Sequence, residues 1–218
     1  KNGLERSFLE EWLLNFFFKN YFYFKKNKDK KGTSSIAKDY AEKEYVFLNK
    51  GELTEQQRGL GLNLLEKEIT KSEINTIVEI GTSNGDIIGY LGKKYKDKIF
   101  YGIDLFVDTA QKKNKLDNTN FIKGYAFDYL INSKISFDLI YASQVFCTTP
   151  PKELENYLSI FQKKGIKKII LNELSWSGIK PVKNNNKFSI HMERWDWFHN
   201  YCAYLVNAGY DVDVHNFF

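Results

Sequence analysis

From Asn75 onward the chain repeats one texture: a short apolar run, a segment of helical period, then another apolar run. The runs are Thr76-Ile77-Val78-Glu79-Ile80, Ile99-Phe100-Tyr101-Gly102-Ile103-Asp104, Asn120-Phe121-Ile122-Lys123, Phe137-Asp138-Leu139-Ile140-Tyr141-Ala142 and Lys168-Ile169-Ile170-Leu171-Asn172. Helical spacing marks 86–95, 109–116, 152–163 and 193–208 between or after them. Strands that alternate with helices pair in parallel, because each return crossover needs room for a helix. Gly209 closes the last helix, and 210–218 reads as a final strand. The expected fold class is therefore α/β: a doubly wound, mostly parallel sheet of six or seven strands, helices on both faces, and a helical N-terminal appendage.

The chain has 218 residues, which suits one domain plus that appendage, with the boundary expected between 1–68 and 69–218. At 43% hydrophobic residues it has enough apolar material for a real core. Residues 1–68 read as a helical cap, lid or dimerisation region. Thr54-Glu55-Gln56-Gln57 has the capping-box pattern, and Leu60, Leu62, Leu64 and Leu65 give the helix after it an apolar side. The aromatic stretch 8–24 is interrupted by Glu10, Glu11 and Lys19, so it lacks the ~18 uncharged residues of a spanning helix. It is expected to pack on the domain or on a second copy, the latter giving a homodimer through this helix; an interfacial membrane helix is the other reading.

A net charge of +5 would suggest an anionic partner, but Lys is spread along the chain and accompanied by Asn, Ile, Phe and Tyr. Its densest run, Lys25-Lys26-Asn27-Lys28-Asp29-Lys30-Lys31, reads as a solvated loop. No nucleic-acid partner is indicated. Two cysteines, Cys147 and Cys202, and three histidines make neither a disulfide framework nor a Cys-rich zinc cluster, so no metal and a cytoplasmic location are expected.

The stretch Val78-Glu79-Ile80-Gly81-Thr82-Ser83-Asn84-Gly85-Asp86 leaves a strand, turns through two glycines and enters a helix. Such a bend brings backbone N–H groups close to a ligand. A dinucleotide G-x-G-x-x-G turn fails here, since its second and third glycine slots hold Ser83 and Asp86. Gly81-Thr82-Ser83-Asn84-Gly85 also matches the G-x-S-x-G nucleophile elbow, with Asp138 and His191 as conceivable triad partners, but the chain before it lacks the strands such an elbow follows. Asp104 ends the second strand, at the crevice edge where doubly wound sheets hold ligands. A carboxylate there accepts two hydrogen bonds, which matches the paired hydroxyls of a ribose; the alternative is a helix cap.

Glu79-Ile80-Gly81-Thr82-Ser83-Asn84-Gly85 followed by Asp104 resembles the class I S-adenosylmethionine-dependent methyltransferases, with Ser83 where the middle glycine usually stands. The resemblance covers about 75–174. It implies S-adenosyl-L-methionine as cofactor: Glu79 anchors the bend and reaches the amino-acid part, and Gly81 and Gly85 allow close approach, with Thr82, Ser83 and Asn84 between them. It further implies that Asp104 holds the ribose and Leu105 borders the adenine. Members often carry Gly-Asp-Ala after the third strand, where this chain has Gly124-Tyr125-Ala126-Phe127-Asp128. Tyr125 thus stands in the slot of the acid that receives the adenine amine. Asp128 is the alternative acceptor or a bland turn acid, and Ala126 or Phe127 would act through backbone. The end of the fourth strand, from Ser143, would face the sulfonium, whereas Asp138 begins that strand and reads as structural.

The resemblance implies a methyltransferase acting on oxygen or nitrogen of a small polar acceptor, with a sugar among the candidates for the aromatic, mixed-charge segment 176–197. His191 is the candidate base because its ordinary pKa is near neutral, although a helix cap is the blander reading. Glu173 is the second candidate, placed directly after the fifth strand. The N-P-P-Y motif of amino-methylating nucleic-acid enzymes is replaced by Ala142-Ser143-Gln144-Val145. An aminopropyltransferase-like enzyme and a non-catalytic nucleoside binder remain alternatives, with a serine hydrolase through Ser83 more remote.

Overall fold

A computed structural model describes residues 60–173, 189–191 and 197–213. The five apolar runs are strands β1 (Thr76–Ile80), β2 (Ile99–Asp104), β3 (Thr119–Lys123), β4 (Leu139–Ser143) and β5 (Lys168–Asn172). They pair entirely in parallel, in the order β3-β2-β1-β4-β5. The chain first builds outward from β1 to β3, then returns to the other side of β1 with β4. That reversal lies between β1 and β4, so their carboxyl ends open a crevice.

The helices are α1 (Leu60–Ile69), α2 (Asp86–Lys94), α3 (Asp108–Lys113), α4 (Ala126–Asn132), α5 (Pro151–Lys163) and α6 (Tyr201–Asn207), with a 3-10 turn at Phe146–Thr148. Strand pleating divides the core into two layers. On one face Ile77, Phe100, Leu139 and Tyr141 pack with Leu62, Leu65 and Ile69 of α1 and Ile87, Ile88 and Leu91 of α2. On the other, Val78, Ile80, Ile103, Ile140 and Ala142 meet Leu130 of α4, Leu154, Tyr157 and Phe161 of α5, and Tyr201 and Tyr204 of α6. Each fully buried side chain of this size contributes roughly 1.5–3 kcal/mol, and both faces need their helices.

At the amino edge, Asp138 Oδ2 accepts from the N–H groups of Asn75 (2.9 Å) and Thr76 (3.0 Å), and Oδ1 pairs with Lys167 Nζ at 2.9 Å. Burial works against its charge, but Lys167 and the two N–H groups hold the carboxyl below its usual range. Its structural role is borne out.

The main sheet has five strands among the described residues, and the sixth and seventh expected ones are not among them. Two expectations need correction. Residues 210–213 form no strand, and 214–218 lie outside the described residues. The expected helix over 193–208 starts only at Tyr201; Trp197–His199 is instead β7, antiparallel to β6 (Ser189–His191) in a separate two-stranded ladder. The reason is local. Asn200 caps the helix by accepting from the Ala203 N–H at 3.0 Å, and the aromatic residues before it favour extended backbone. The aromatic stretch 8–24, the Lys-rich run and the capping box at 54–57 lie outside the described residues. Among the described residues no helix is long and apolar enough to cross a membrane.

Candidate functional site

The bend after β1 is built from left-handed backbone. Gly81 (φ 74), Ser83 (φ 50) and Gly85 (φ 70) all have positive φ. A Cβ on Gly81 would lie 2.2 Å from Val145 Cγ2, and one on Gly85 would lie 2.5 Å from Phe121 Cε1. Both glycines are therefore demanded twice, by dihedral and by space. The Gly81 and Thr82 N–H groups donate to Ile103 O at 2.8 and 3.2 Å, tying the bend to β2. Asn114 fastens it from α3's C-terminal end, its side-chain amide donating to Gly85 O at 3.0 Å. Ser83 holds the left-handed slot without a glycine's freedom, at a cost of about 1–2 kcal/mol. The Asn84 side-chain oxygen is buried in the bend with no hydrogen-bond partner.

Asp104 links the bend to the end of β2. Its Oδ2 accepts from the Ser83 N–H at 2.9 Å and its Oδ1 from the Phe106 N–H at 3.0 Å, which leaves lone-pair capacity on the carboxylate. Burial raises its pKa, opposed by the N–H groups of Phe106, Ser83 and Leu105. Glu79 is buried on β1 and accepts from the Thr82 hydroxyl at 2.7 Å. Burial pushes its carboxyl up to about 8; Thr82 opposes this, and the charges of Asp104 and Asp86 add to it. Glu79 thus anchors the bend through Thr82. Gly102, opposite Glu79 in the β1–β2 register, makes room for Thr82, whose Oγ1 would lie 2.7 Å from a Cβ there.

After β3 the chain enters α4 directly. Tyr125 sits at its N-cap position, Ala126 is buried, and Asp128 lies exposed in its first turn. The Tyr125 ring is 6.5 Å from Phe127 and 6.4 Å from Tyr157, while Phe127 and Tyr157 are 5.2 Å apart. An aromatic wall therefore stands where the resemblance implies an acid.

At the exit of β4, Ser143 Oγ accepts from the Asn172 amide at 3.0 Å, and Gln144 takes a left-handed φ of 54. Glu173 Oε1 accepts from the Val145 and Phe146 N–H groups at 2.8 and 3.0 Å, and Oε2 from Cys147 at 3.4 Å. Burial raises its pKa to about 7 against these three donors. This carboxyl is engaged in holding the turn beyond β4, and any part in proton transfer would compete with that.

A second polar network, which the sequence reading did not anticipate, supports the same turn. His199 is buried on β7; its Nε2 lies 3.1 Å from Phe146 O and 2.9 Å from Thr149 O, while Nδ1 lies 2.6 Å from Ser189 Oγ. Two carbonyl partners place the proton on Nε2, so Nδ1 accepts from the serine. Tyr204 OH extends the chain to Ser189 at 2.8 Å. Burial lowers the His199 pKa to about 4, opposed by the two carbonyls. The side chain of His191 lies outside the described residues, as do 174–188 and 192–196 of the expected acceptor segment.

The hydrolase alternative fails on placement. Asp138 binds the amino end of β1 while Ser83 lies beyond its carboxyl end, so the length of a five-residue strand, about 16 Å, separates them.

The sequence matches no protein-family model and no curated relative. Solved structures do resemble it. A SAM-dependent methyltransferase from Anabaena variabilis aligns with a TM-score of 0.51 at 17% identity, covering 66% of this chain and 63% of that one. The N-methyltransferase NodS from Bradyrhizobium japonicum, bound to S-adenosyl-L-homocysteine, aligns at 0.45 and 16% identity, covering 62% and 68%. A SAM-dependent methyltransferase from Archaeoglobus fulgidus aligns at 0.40 and 23% identity, covering 55% of this chain and 53% of that protein, so the match spans about half of the Archaeoglobus chain. Together with the strand order and its switch point, the Anabaena likeness shows that this chain has the Rossmann-like fold of the class I S-adenosylmethionine-dependent methyltransferases.

Proposed function

We propose that this chain is an S-adenosylmethionine-dependent methyltransferase that methylates a hydroxyl or amine of a small polar acceptor, with sugars and related metabolites as the first class to try. The observation that carries the reading is the left-handed bend at 81–85 buttoned to the Asp104 carboxylate through the Ser83 N–H. The residues fit the cofactor. Asp104 keeps acceptor capacity for a ribose hydroxyl beside its backbone donors.

When bound, S-adenosylmethionine supplies a methyl carbon already attached to a good leaving group. The protein's part is alignment, which is worth roughly 7–11 kcal/mol where acceptor and methyl are held at near-attack distance. Gly81 and Gly85 let the bend close on the tail, Asp104 fixes the sugar, and the turn at 145–147, braced by Glu173 and His199, walls the side where an acceptor enters. A neutral amine or hydroxyl must also lose a proton, for which His191 and Glu173 are the candidates. The first turn of α1 also reaches this edge: a Cβ on Gly61 would lie 3.2 Å from Asn172 Cγ at the end of β5. Residues 1–68 are proposed as a cap, lid or dimerisation region, with α1 packed on the sheet.

A nucleoside binder without turnover is the second reading, favoured by the engagement of Glu173 with three backbone donors. Incubation with methyl-labelled S-adenosylmethionine and fractionated polar metabolites separates the two. Label in an acceptor and release of S-adenosylhomocysteine are expected; cofactor binding with no label in any fraction would favour the second reading.

A further inference from the structure

Among the described residues a positive φ is given to glycine at Gly81, Gly85, Gly124, Gly165 and Gly209, and to a residue with a side chain only at Ser83 and Gln144. Those two stand on either side of the crevice, in the bend after β1 and at the exit of β4. The two turns touch: a Cβ on Gly81 would lie 2.2 Å from Cγ2 of Val145, the residue after Gln144. A Cβ in left-handed backbone crowds the carbonyl that follows it, a penalty that glycine would remove. Such strain persists where surrounding bonds over-determine it, and it gathers at functional sites.

The bonds that hold Gln144 are backbone ones. Its N–H donates to Asn172 O at 3.1 Å, and the next N–H, of Val145, donates to Glu173 Oε1 at 2.8 Å. They fix its φ of 54 without help from the side chain, which is exposed and makes no hydrogen bond among the described residues. The turn thus explains the backbone and leaves the choice of glutamine unexplained. The polar groups beside it are engaged: Glu173 by three N–H groups, both ring nitrogens of His199 by their partners, and Ser143 Oγ by the Asn172 amide. We infer that Gln144 orients the methyl acceptor, its side-chain amide binding two adjacent polar groups such as the vicinal hydroxyls of a sugar. This rests on the methyltransferase reading of the crevice. Oε1 accepts from one hydroxyl or amine while Nε2 donates to the oxygen beside it, a pairing that neither a glycine nor a carboxylate offers. The amide has no proton to exchange near neutral pH, so its work is alignment.

The test uses the full chain, methyl-labelled S-adenosylmethionine and the polar metabolite fraction that the wild type labels, with Gln144→Gly and Gln144→Asn beside the wild type. Gln144→Gly should melt no lower than the wild type and bind S-adenosylhomocysteine within about twofold of it, because the cofactor does not depend on the amide. Its initial rate of transfer at limiting acceptor should fall on the order of tenfold, the worth of one or two neutral hydrogen bonds. Gln144→Asn keeps an amide and tolerates left-handed backbone, so it should recover part of that loss. A residue that only shaped the turn would move the melting temperature and leave the transfer rate alone. Undiminished transfer by Gln144→Gly, weakened S-adenosylhomocysteine binding, a lower melting temperature, or no recovery in Gln144→Asn would overturn the assignment while leaving the enzyme standing. A wild type that labels no fraction would overturn the methyltransferase reading and this inference with it.

Discussion

Gly81→Ala tests how the bend is held more sharply than any change at a charged residue. The substituted residue would keep a φ of 74, which costs a side chain about 1–2 kcal/mol. Its Cβ would also meet Val145 Cγ2 at 2.2 Å, and Val145 is not free to retreat, because its N–H is held by Glu173 at 2.8 Å. Overpacking of this kind costs about 1–3 kcal/mol, so the sum is about 2–5 kcal/mol. Urea denaturation measures it directly. Adding Val145→Ala removes the obstructing methyls, so in the double variant only the dihedral share should remain, with a favourable coupling of about 1–3 kcal/mol between the sites. A cost below about 1 kcal/mol for Gly81→Ala, or strict additivity with Val145→Ala, would refute the claim that the β1 bend is packed against the β4 exit.

Ser83→Gly should raise the melting temperature slightly, since relief of about 1–2 kcal/mol of left-handed strain exceeds the roughly 0.5–1 kcal/mol of added chain entropy; a lower melting point would contradict it. Glu79 is protonated more readily in the folded chain, near pH 8, than at its ordinary 4.5, so stability should fall as pH rises through that window, by roughly 3–5 kcal/mol. Glu79→Gln should flatten this slope in denaturation curves taken from pH 5 to 8.5, and a slope identical to the wild type would count against the buried neutral carboxyl. His199 has the opposite sign: with its pKa lowered from 6.5 to about 4, its contribution is present above pH 6.5 and is lost as pH falls through about 4. His199→Ala should cost about 3–5 kcal/mol near neutrality through its unpaired neighbours, and a loss under 1 kcal/mol would show the network to be incidental.

The five strands were legible because strands buried on both faces must be apolar along their length, leaving unbroken runs such as Ile99–Asp104. The bend and Asp104 were legible because glycine and a strand-end carboxylate have few other uses together. The hairpin before α6 was not, because the apolar spacing of Tyr201, Tyr204 and Leu205 extends backward through Trp197 as though one helix ran throughout. Asn200 was the available signal, a strong N-cap residue in the middle of the supposed helix. The engagement of Glu173 was hidden for a different reason. Its three donors lie 26 to 28 residues earlier, and only the parallel β4–β5 register brings them together. The same holds for His199, whose partners Phe146 and Thr149 lie 50 or more residues away.

The most direct test is titration of the folded chain with S-adenosylhomocysteine, wild type beside Asp104→Asn. Saturable one-to-one binding is expected in the wild type, weakened by on the order of tenfold or more in the variant, measured at a temperature where both proteins are folded. No saturable heat from the wild type, or equal affinity in both proteins, would contradict a nucleoside held at the carboxyl edge by Asp104.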